Sequence, residues 1–109
     1  MRRPVDRARL RRFMEAFGLA AMGRTRVYFT GGATAVLFGW REATVDIDLS
    51  MQPEDDQLYR AIPGLKESLE LNVEMSAPSD FVPELPGWRD RSLFIATEGQ
   101  VVFLHYDFY

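Results

Sequence analysis

FTGGATAVLFGWREATVDIDLSM, residues 29–51, is the stretch of sequence that decides the fold of this chain. Residues 26–30 (RVYFT), which overlap the start of this stretch, form a short run of mainly aromatic and β-branched residues. Such a run predicts a strand that ends at Gly31 and Gly32. Residues 33–40 (ATAVLFGW) predict a short buried helix, and residues 45–50 (VDIDLS) predict a second strand. A strand, a glycine turn, a helix and an acidic strand therefore follow one another at short separation.

The acidic strand is the first candidate site. With a strand period of two, Asp46 and Asp48 share one face, and Val45, Ile47 and Leu49 share the other. Two carboxylates that point the same way can both ligate one hard cation, and Mg²⁺ prefers oxygen ligands completed by substrate phosphates. Taken alone, the same pattern is more typical of a solvated polar face.

The glycine pair is the second candidate feature. Gly31 and Gly32 allow positive φ and a close approach of the backbone to a ligand. The helix that follows presents unpaired N–H groups, which favours a bound phosphate. Thr34 could lend a hydroxyl to that phosphate. Arg41 suits phosphate as a bidentate donor, although an ion pair that positions Asp46 or Asp48 is an equal alternative.

The rest of the chain supplies the surrounding elements. An apolar stripe over residues 5–21 predicts a helix with its arginines on the opposite side, which Gly18 or Gly23 could end. Further along, the patterns predict a helix over 53–69 interrupted at Pro63 and Gly64, a strand over 70–76, an ordered loop over 77–90, and a hairpin of 93–97 and 101–106 around 98–100. The predicted fold class is α+β, a mixed sheet with helices packed on it that ends in a β-hairpin.

Composition limits the class of protein. A chain of 109 residues is one small domain, here residues 1–109. The net charge of -3 argues against a dedicated nucleic-acid binder, but nine of the 13 basic residues lie in the first 41. That basic half either faces a polyanion or is the solvated side of a helix. Without cysteine or an apolar run of membrane length, we expect a cytoplasmic protein that does not associate with a membrane.

Residues 29–51 resemble the signature of the nucleotidyltransferase superfamily that includes DNA polymerase β. The form Arg-x-x-Thr-x-Asp-Ile-Asp-Leu is most similar to the AbiEii-type toxin nucleotidyltransferases and related bacterial proteins. The resemblance implies that Gly31 and Gly32 form the phosphate turn and that Asp46 and Asp48 bind Mg²⁺ or Mn²⁺. It also implies a third carboxylate on a later strand. Glu74 matches that position best, and Asp80 and Asp107 are the alternatives.

The same resemblance implies a reaction. Such an enzyme transfers a nucleoside monophosphate from a nucleoside triphosphate to a hydroxyl of tRNA or another RNA end, of a protein side chain or of a small molecule. A toxin–antitoxin role would add an antitoxin partner or a homodimer. Relatives continue into a helical segment with basic residues, and this chain stops before one, so the alternative is a catalytically inactive nucleotide- or partner-binding module. We expect Phe38, Trp40 and Trp88 to belong to the core rather than to a platform that stacks on a base, and His105 to be a packing or surface residue.

Overall fold

A computed structural model describes residues 4–52, 55–75 and 93–105 of the chain. Helices and strands alternate irregularly along these residues. In chain order they are β1 (Val5–Asp6), α1 (Arg7–Ala20), β2 (Thr25–Thr30), α2 (Gly31–Leu37), β3 (Ala43–Thr44), β4 (Asp46–Gln52), α3 (Asp56–Ser68), β5 (Asn72–Met75), β6 (Leu93–Glu98) and β7 (Val101–His105).

The five longer strands form one mixed sheet. Their order is β5-β4-β2-β7-β6, with β2 antiparallel to β4 and parallel to β7, and with β5 parallel to β4. β6 and β7 form an antiparallel hairpin that turns at Gly99 and Gln100. The predicted α+β class and the hairpin are therefore confirmed. The sequence did not predict the small antiparallel pair of β1 and β3.

The core lies between the three helices and one face of this sheet. Alternate residues of β2 and β4 are buried against the helices, and the aromatic rings form its centre. Phe13 stacks on Phe17 at 5.0 Å between ring centroids, and Phe29 stacks on Phe103 at 5.6 Å. Stacked aromatic pairs of this kind contribute about 0.5–1.5 kcal/mol beyond the area they bury.

Helix α1 differs from the prediction at both ends and on its polar side. It begins at Arg7 because the Asp6 side chain caps it by accepting from the Arg9 backbone N–H at 2.9 Å. It passes through Gly18 and ends at Ala20, so neither Gly18 nor Gly23 ends it. Arg9 is buried rather than solvated, and its guanidinium donates to the carbonyls of Pro4, Leu69 and Glu70.

Helix α3 is a single helix, so the predicted interruption at Pro63 and Gly64 was wrong. Pro63 lies inside it, where the missing N–H costs one bond to the carbonyl four residues earlier. Two features hold the helix through that point. Leu58 and Ile62 anchor it in the core, and the Asp55 side chain caps it by accepting from the N–H groups of Gln57 and Leu58. No helix within the described ranges has the length and apolar character needed to span a bilayer.

Candidate acidic site beside the glycine turn

Strand β4 presents its two aspartates on one face of the sheet. Asp46 and Asp48 are partly exposed. Ile47, which lies between them, and Leu49, which follows Asp48, are buried in the core. The predicted alternation is therefore confirmed for these four residues. Val45 departs from it, since it precedes the strand and is 63% exposed instead of lying on the apolar face.

The register of the sheet brings a third carboxylate beside them. β4 and β5 run parallel, and their pairing sets Asp48 opposite Glu74 and Asp46 opposite Asn72. Asn72 donates from Nδ2 to Oδ1 of Asp46 at 2.7 Å, which fixes the orientation of that carboxylate. On the other side of β4, Asp48 pairs with Thr30, the last residue of β2. Glu74 thus lies beside Asp48, whereas Asp80 and Asp107 lie outside the described residues.

The glycine turn follows Thr30 directly, so it also lies beside Asp48. Gly31 has a φ of +60, and a Cβ at that position would lie 3.4 Å from Oδ2 of Asp48. Helix α2 begins at Gly31 itself, two residues earlier than the sequence predicted. The backbone of the first glycine therefore lies beside the Asp48 carboxylate.

Gly32 has a packing role that the sequence did not reveal. A Cβ on Gly32 would overlap Oγ1 of Thr44 and lie 2.8 Å from its Cβ. Arg41 is exposed and is also near, with Nη1 3.3 Å from that Cβ position. Glycine is thus required here by the contact with β3, independently of any phosphate. The side chain of Arg41 therefore lies beside the turn.

Burial and the two neighbouring acids make Asp48 harder to ionise than an ordinary aspartate. The pKa of Asp48 is raised, first by burial, then by the charge of Glu74 and its hydrogen bond with that residue, and last by the charge of Asp46. Like charges at short range with no cation beside them disfavour ionisation, and a bound cation would reverse that effect. The oxygen donors suit Mg²⁺ or Mn²⁺.

The carboxylates do not form a complete metal site by themselves. Within the described ranges, no three His, Asp or Glu side chains are arranged as a metal-binding group. A cation held by Asp46 and Asp48 alone would need oxygens from water or from a bound phosphate to complete its coordination. This arrangement is common for Mg²⁺, which usually combines one or two carboxylates with water and substrate phosphates.

Thr34 and His105 form a contact behind the turn. The Thr34 hydroxyl donates to the Phe29 carbonyl at 3.2 Å and lies 3.0 Å from Nδ1 of His105. A hydroxyl that donates to Phe29 has only lone pairs left for His105, so this arrangement favours the imidazole tautomer that donates from Nδ1. For the predicted phosphate contact, the Thr34 hydroxyl would have to give up its hydrogen bond to the Phe29 carbonyl, since it has one hydrogen to donate.

His105 also joins an aromatic stack that extends to the surface. Its ring lies 4.3 Å from that of Phe38, which lies 4.8 Å from that of Trp40. His105 is a packing residue, as expected. Phe38 and Trp40 are 42% and 75% exposed, so the expectation that they belong to the core was wrong. Helix α2 ends at Leu37 and turns outward there, whereas the predicted helix continued to Trp40. Trp88 lies outside the described residues.

No protein-family model, curated protein or solved structure matches this chain.

Proposed function

We propose that the chain is a metal-dependent nucleotidyltransferase whose site is formed by Asp46, Asp48 and Glu74 beside Gly31. The observation that carries the proposal is the position of Asp48, which pairs with Glu74 on one side and faces Gly31 on the other. A metal-binding carboxylate, a third acid and an open backbone turn are the groups that transfer from a nucleoside triphosphate needs.

In the proposed reaction, an acceptor hydroxyl attacks the α-phosphorus of the triphosphate. The bond from the α-phosphorus to the bridging oxygen breaks, pyrophosphate leaves, and the hydroxyl proton passes to the Glu74 carboxylate. Asp46 and Asp48 would hold Mg²⁺ or Mn²⁺, which supplies charge neutralisation of the phosphates. Asn72 keeps Asp46 oriented, and the Gly31 and Gly32 backbone with Arg41 would bind phosphate oxygens. The acceptor is an RNA end such as tRNA, a protein side chain or a small molecule.

The alternative is a catalytically inactive module that binds a nucleotide or a protein partner, such as an antitoxin or a second copy of the chain. One observation favours it: within the described ranges, the carboxylates are not arranged as a three-ligand metal group. Such a module would bind a triphosphate in the presence of Mg²⁺ without turning it over.

A labelling screen tests the proposal. The protein is incubated with each of the four α-labelled ribonucleoside triphosphates, Mg²⁺ or Mn²⁺ and a cell extract, and labelled RNA, protein and small molecules are separated. We expect one acceptor class to be labelled, and the Asp46→Asn, Asp48→Asn double variant to lose that labelling by at least about a hundredfold, since metal stabilisation supplies several kcal/mol. Undiminished labelling by the double variant would remove the proposed site.

Two further variants separate the roles. Glu15→Gln with Glu67→Gln neutralises two exposed carboxylates on α1 and α3 and should leave labelling unchanged. Glu74→Gln should keep triphosphate binding measured by calorimetry and lose turnover, because its role is to accept the proton. Binding by the unaltered protein with no labelling under any condition would favour the inactive module, and no binding would exclude both functions.

A further inference from the structure

A concave surface lies at the far end of β2 and β4. It has a volume of about 590 Å³, and the polar residues that line it are Arg24, Thr25, Arg26, Gln52, Thr97 and Gln100. We call it the Arg24–Arg26 pocket. Its volume is within the range of about 300–1,000 Å³ that small-molecule sites occupy.

The register places this pocket on the same sheet face as the acidic site. Gln52 pairs with Arg26, Arg26 with Val102, and Val102 with Thr97, so these four residues form a row across four strands. Gln52 is an even number of residues from Asp48 on β4, and both therefore project to one face. Four residues at a rise of about 3.3 Å separate them by about 13 Å, so the pocket is distinct from the acidic site.

The charge of the pocket is opposite to that of the chain. The protein carries a net charge of -3, yet the pocket lining includes two arginines and no aspartate or glutamate. Both arginines are exposed and can contact a solute: Arg26 lies on β2, and Arg24 lies just before it. A concave surface with one sign of charge concentrates the field and attracts ions of the opposite sign. The ligand that this surface favours is an anion.

The polar side chains identify the kind of anion. Each guanidinium offers five N–H donors in a planar fork that matches phosphate oxygens. Gln52 and Gln100 carry amide donors, and Thr97 carries a hydroxyl, and these suit the remaining oxygens of a tetrahedral anion. This lining contains no aromatic side chain that would stack on a base. The chemistry therefore favours recognition of a phosphate group.

The hairpin turn that forms one wall of the pocket contacts both β2 and α1. The Thr25 N–H donates to the Gln100 carbonyl at 3.1 Å, which ties the hairpin turn to β2. On its other side the turn packs backbone to backbone on α1, where a Cβ on Gly99 would lie 2.6 Å from the Gly18 carbonyl oxygen. A rigid wall lowers the entropy lost when a ligand binds.

We propose that the Arg24–Arg26 pocket binds a phosphate group at a site separate from the Asp46 and Asp48 carboxylates. The phosphate belongs either to the backbone of a polynucleotide or to a free anion such as pyrophosphate. This inference concerns binding and does not depend on nucleotidyl transfer.

The experiment measures binding of two probes, inorganic pyrophosphate by calorimetry and a fluorescent oligoribonucleotide by anisotropy, both without divalent metal. We expect at least one probe to bind, and Arg24→Gln with Arg26→Gln to weaken it by about tenfold or more, as expected for lost charge-assisted hydrogen bonds. For the oligoribonucleotide, losing two phosphate contacts should also reduce the salt-dependence slope by about 1.4. Pyrophosphate binding identifies a free anion, and oligonucleotide binding alone identifies a polynucleotide.

The control is Arg11→Gln with Arg12→Gln, which removes the same charge from exposed positions of α1. It should change binding less than twofold, and both double variants should melt as the unaltered protein does. Equal weakening by the two double variants, or no binding of either probe, would overturn the proposal. Asp46→Asn with Asp48→Asn should retain binding at the Arg24–Arg26 pocket, so a failure of the proposed enzymatic function leaves this result intact.

Discussion

Gly31 faces the carboxylate of Asp48, and a Cβ added to the glycine would lie 3.4 Å from Oδ2. That separation is an ordinary contact, so space does not require glycine at position 31. The φ of +60 does, because residues with a side chain rarely adopt the left-handed region. At position 32 the requirement for glycine is one of space, because Thr44 leaves no room for a Cβ.

The two glycines should therefore respond differently to alanine. Gly31→Ala should cost about 1–2 kcal/mol of unfolding free energy from backbone strain. Gly32→Ala should cost about 1–3 kcal/mol from overpacking on Thr44, and Thr44→Ala should restore part of that loss because it removes the overlapping Oγ1. Urea unfolding of the four variants in a double-mutant cycle measures the coupling. Additive losses at positions 32 and 44 would contradict the proposed overlap.

The crowded carboxylates predict a stability gain from neutralising one of them. Burial and the nearby carboxylates of Glu74 and Asp46 disfavour the charged form of Asp48. Its pKa in the folded protein therefore lies above its pKa in the unfolded chain. Its charge therefore opposes folding at neutral pH, and this cost disappears as the pH falls through the raised pKa. Asp48→Asn should raise Tm at pH 7 without metal, by an amount that shrinks at pH 4. The matched exposed change Glu67→Gln should not reproduce this pH dependence, and a lowered Tm for Asp48→Asn would contradict the prediction.

Burial of His105 predicts a loss of stability in mild acid. Desolvation lowers its pKa from the model-compound value of 6.5, so the unfolded chain binds the proton more readily. The neutral ring contributes fully to the free energy of unfolding above about pH 6.5. This contribution is lost as the pH falls through the lower pKa of the folded state. His105 is the chain's one histidine, so His105→Gln should flatten the dependence of unfolding free energy between pH 7 and 5.5. An unchanged slope in this variant would show that another group causes it.

The sequence predicted the features that depend on neighbouring residues, and it did not predict contacts between residues that are distant in the chain. The face shared by Asp46 and Asp48 follows from the two-residue period of a strand, and the order of most elements follows from local patterns. Glu74 was found as an acid on a strand with apolar flanks, although its place beside Asp48 depends on the parallel register of β4 and β5. The Thr34–His105 contact joins residues 71 positions apart, and no local pattern encodes it.

The predictions that were wrong also concern residues whose partners lie far along the chain. Arg9 reads as a solvated helix residue because its carbonyl partners belong to residues 69 and 70, far along the chain. Pro63 reads as a helix break because local chemistry disfavours it, whereas the core contacts of Leu58 and Ile62 maintain the helix. Tertiary contacts reversed the local preference in both places.

Gly18 is the third case, and it makes a sharp prediction. It reads as a helix end, but it lies inside α1 against the β6–β7 turn, where a Cβ would lie 2.7 Å from the Glu98 carbonyl carbon. The obstacle is backbone, which cannot rotate away, so Gly18→Ala should cost at least about 1–3 kcal/mol of unfolding free energy. Gly23→Ala is the matched control, because nothing lies within 4 Å of its Cβ position, and it should change stability by less than about 0.5 kcal/mol. Similar losses for the two variants would contradict the close packing of α1 on the turn.

Gly64 predicts the opposite sign in the same measurement. It lies inside α3, its Cβ position is open, and the first half of the helix is held by the Asp55 cap and the core contacts of Leu58 and Ile62. Alanine there loses less backbone entropy on folding than glycine does, so Gly64→Ala should raise the unfolding free energy by about 0.5–1 kcal/mol. Urea unfolding with an unchanged m-value would confirm the gain as a helix effect. If α3 were instead broken at Pro63 and Gly64, glycine would be needed for the break, and the same substitution would destabilise the protein.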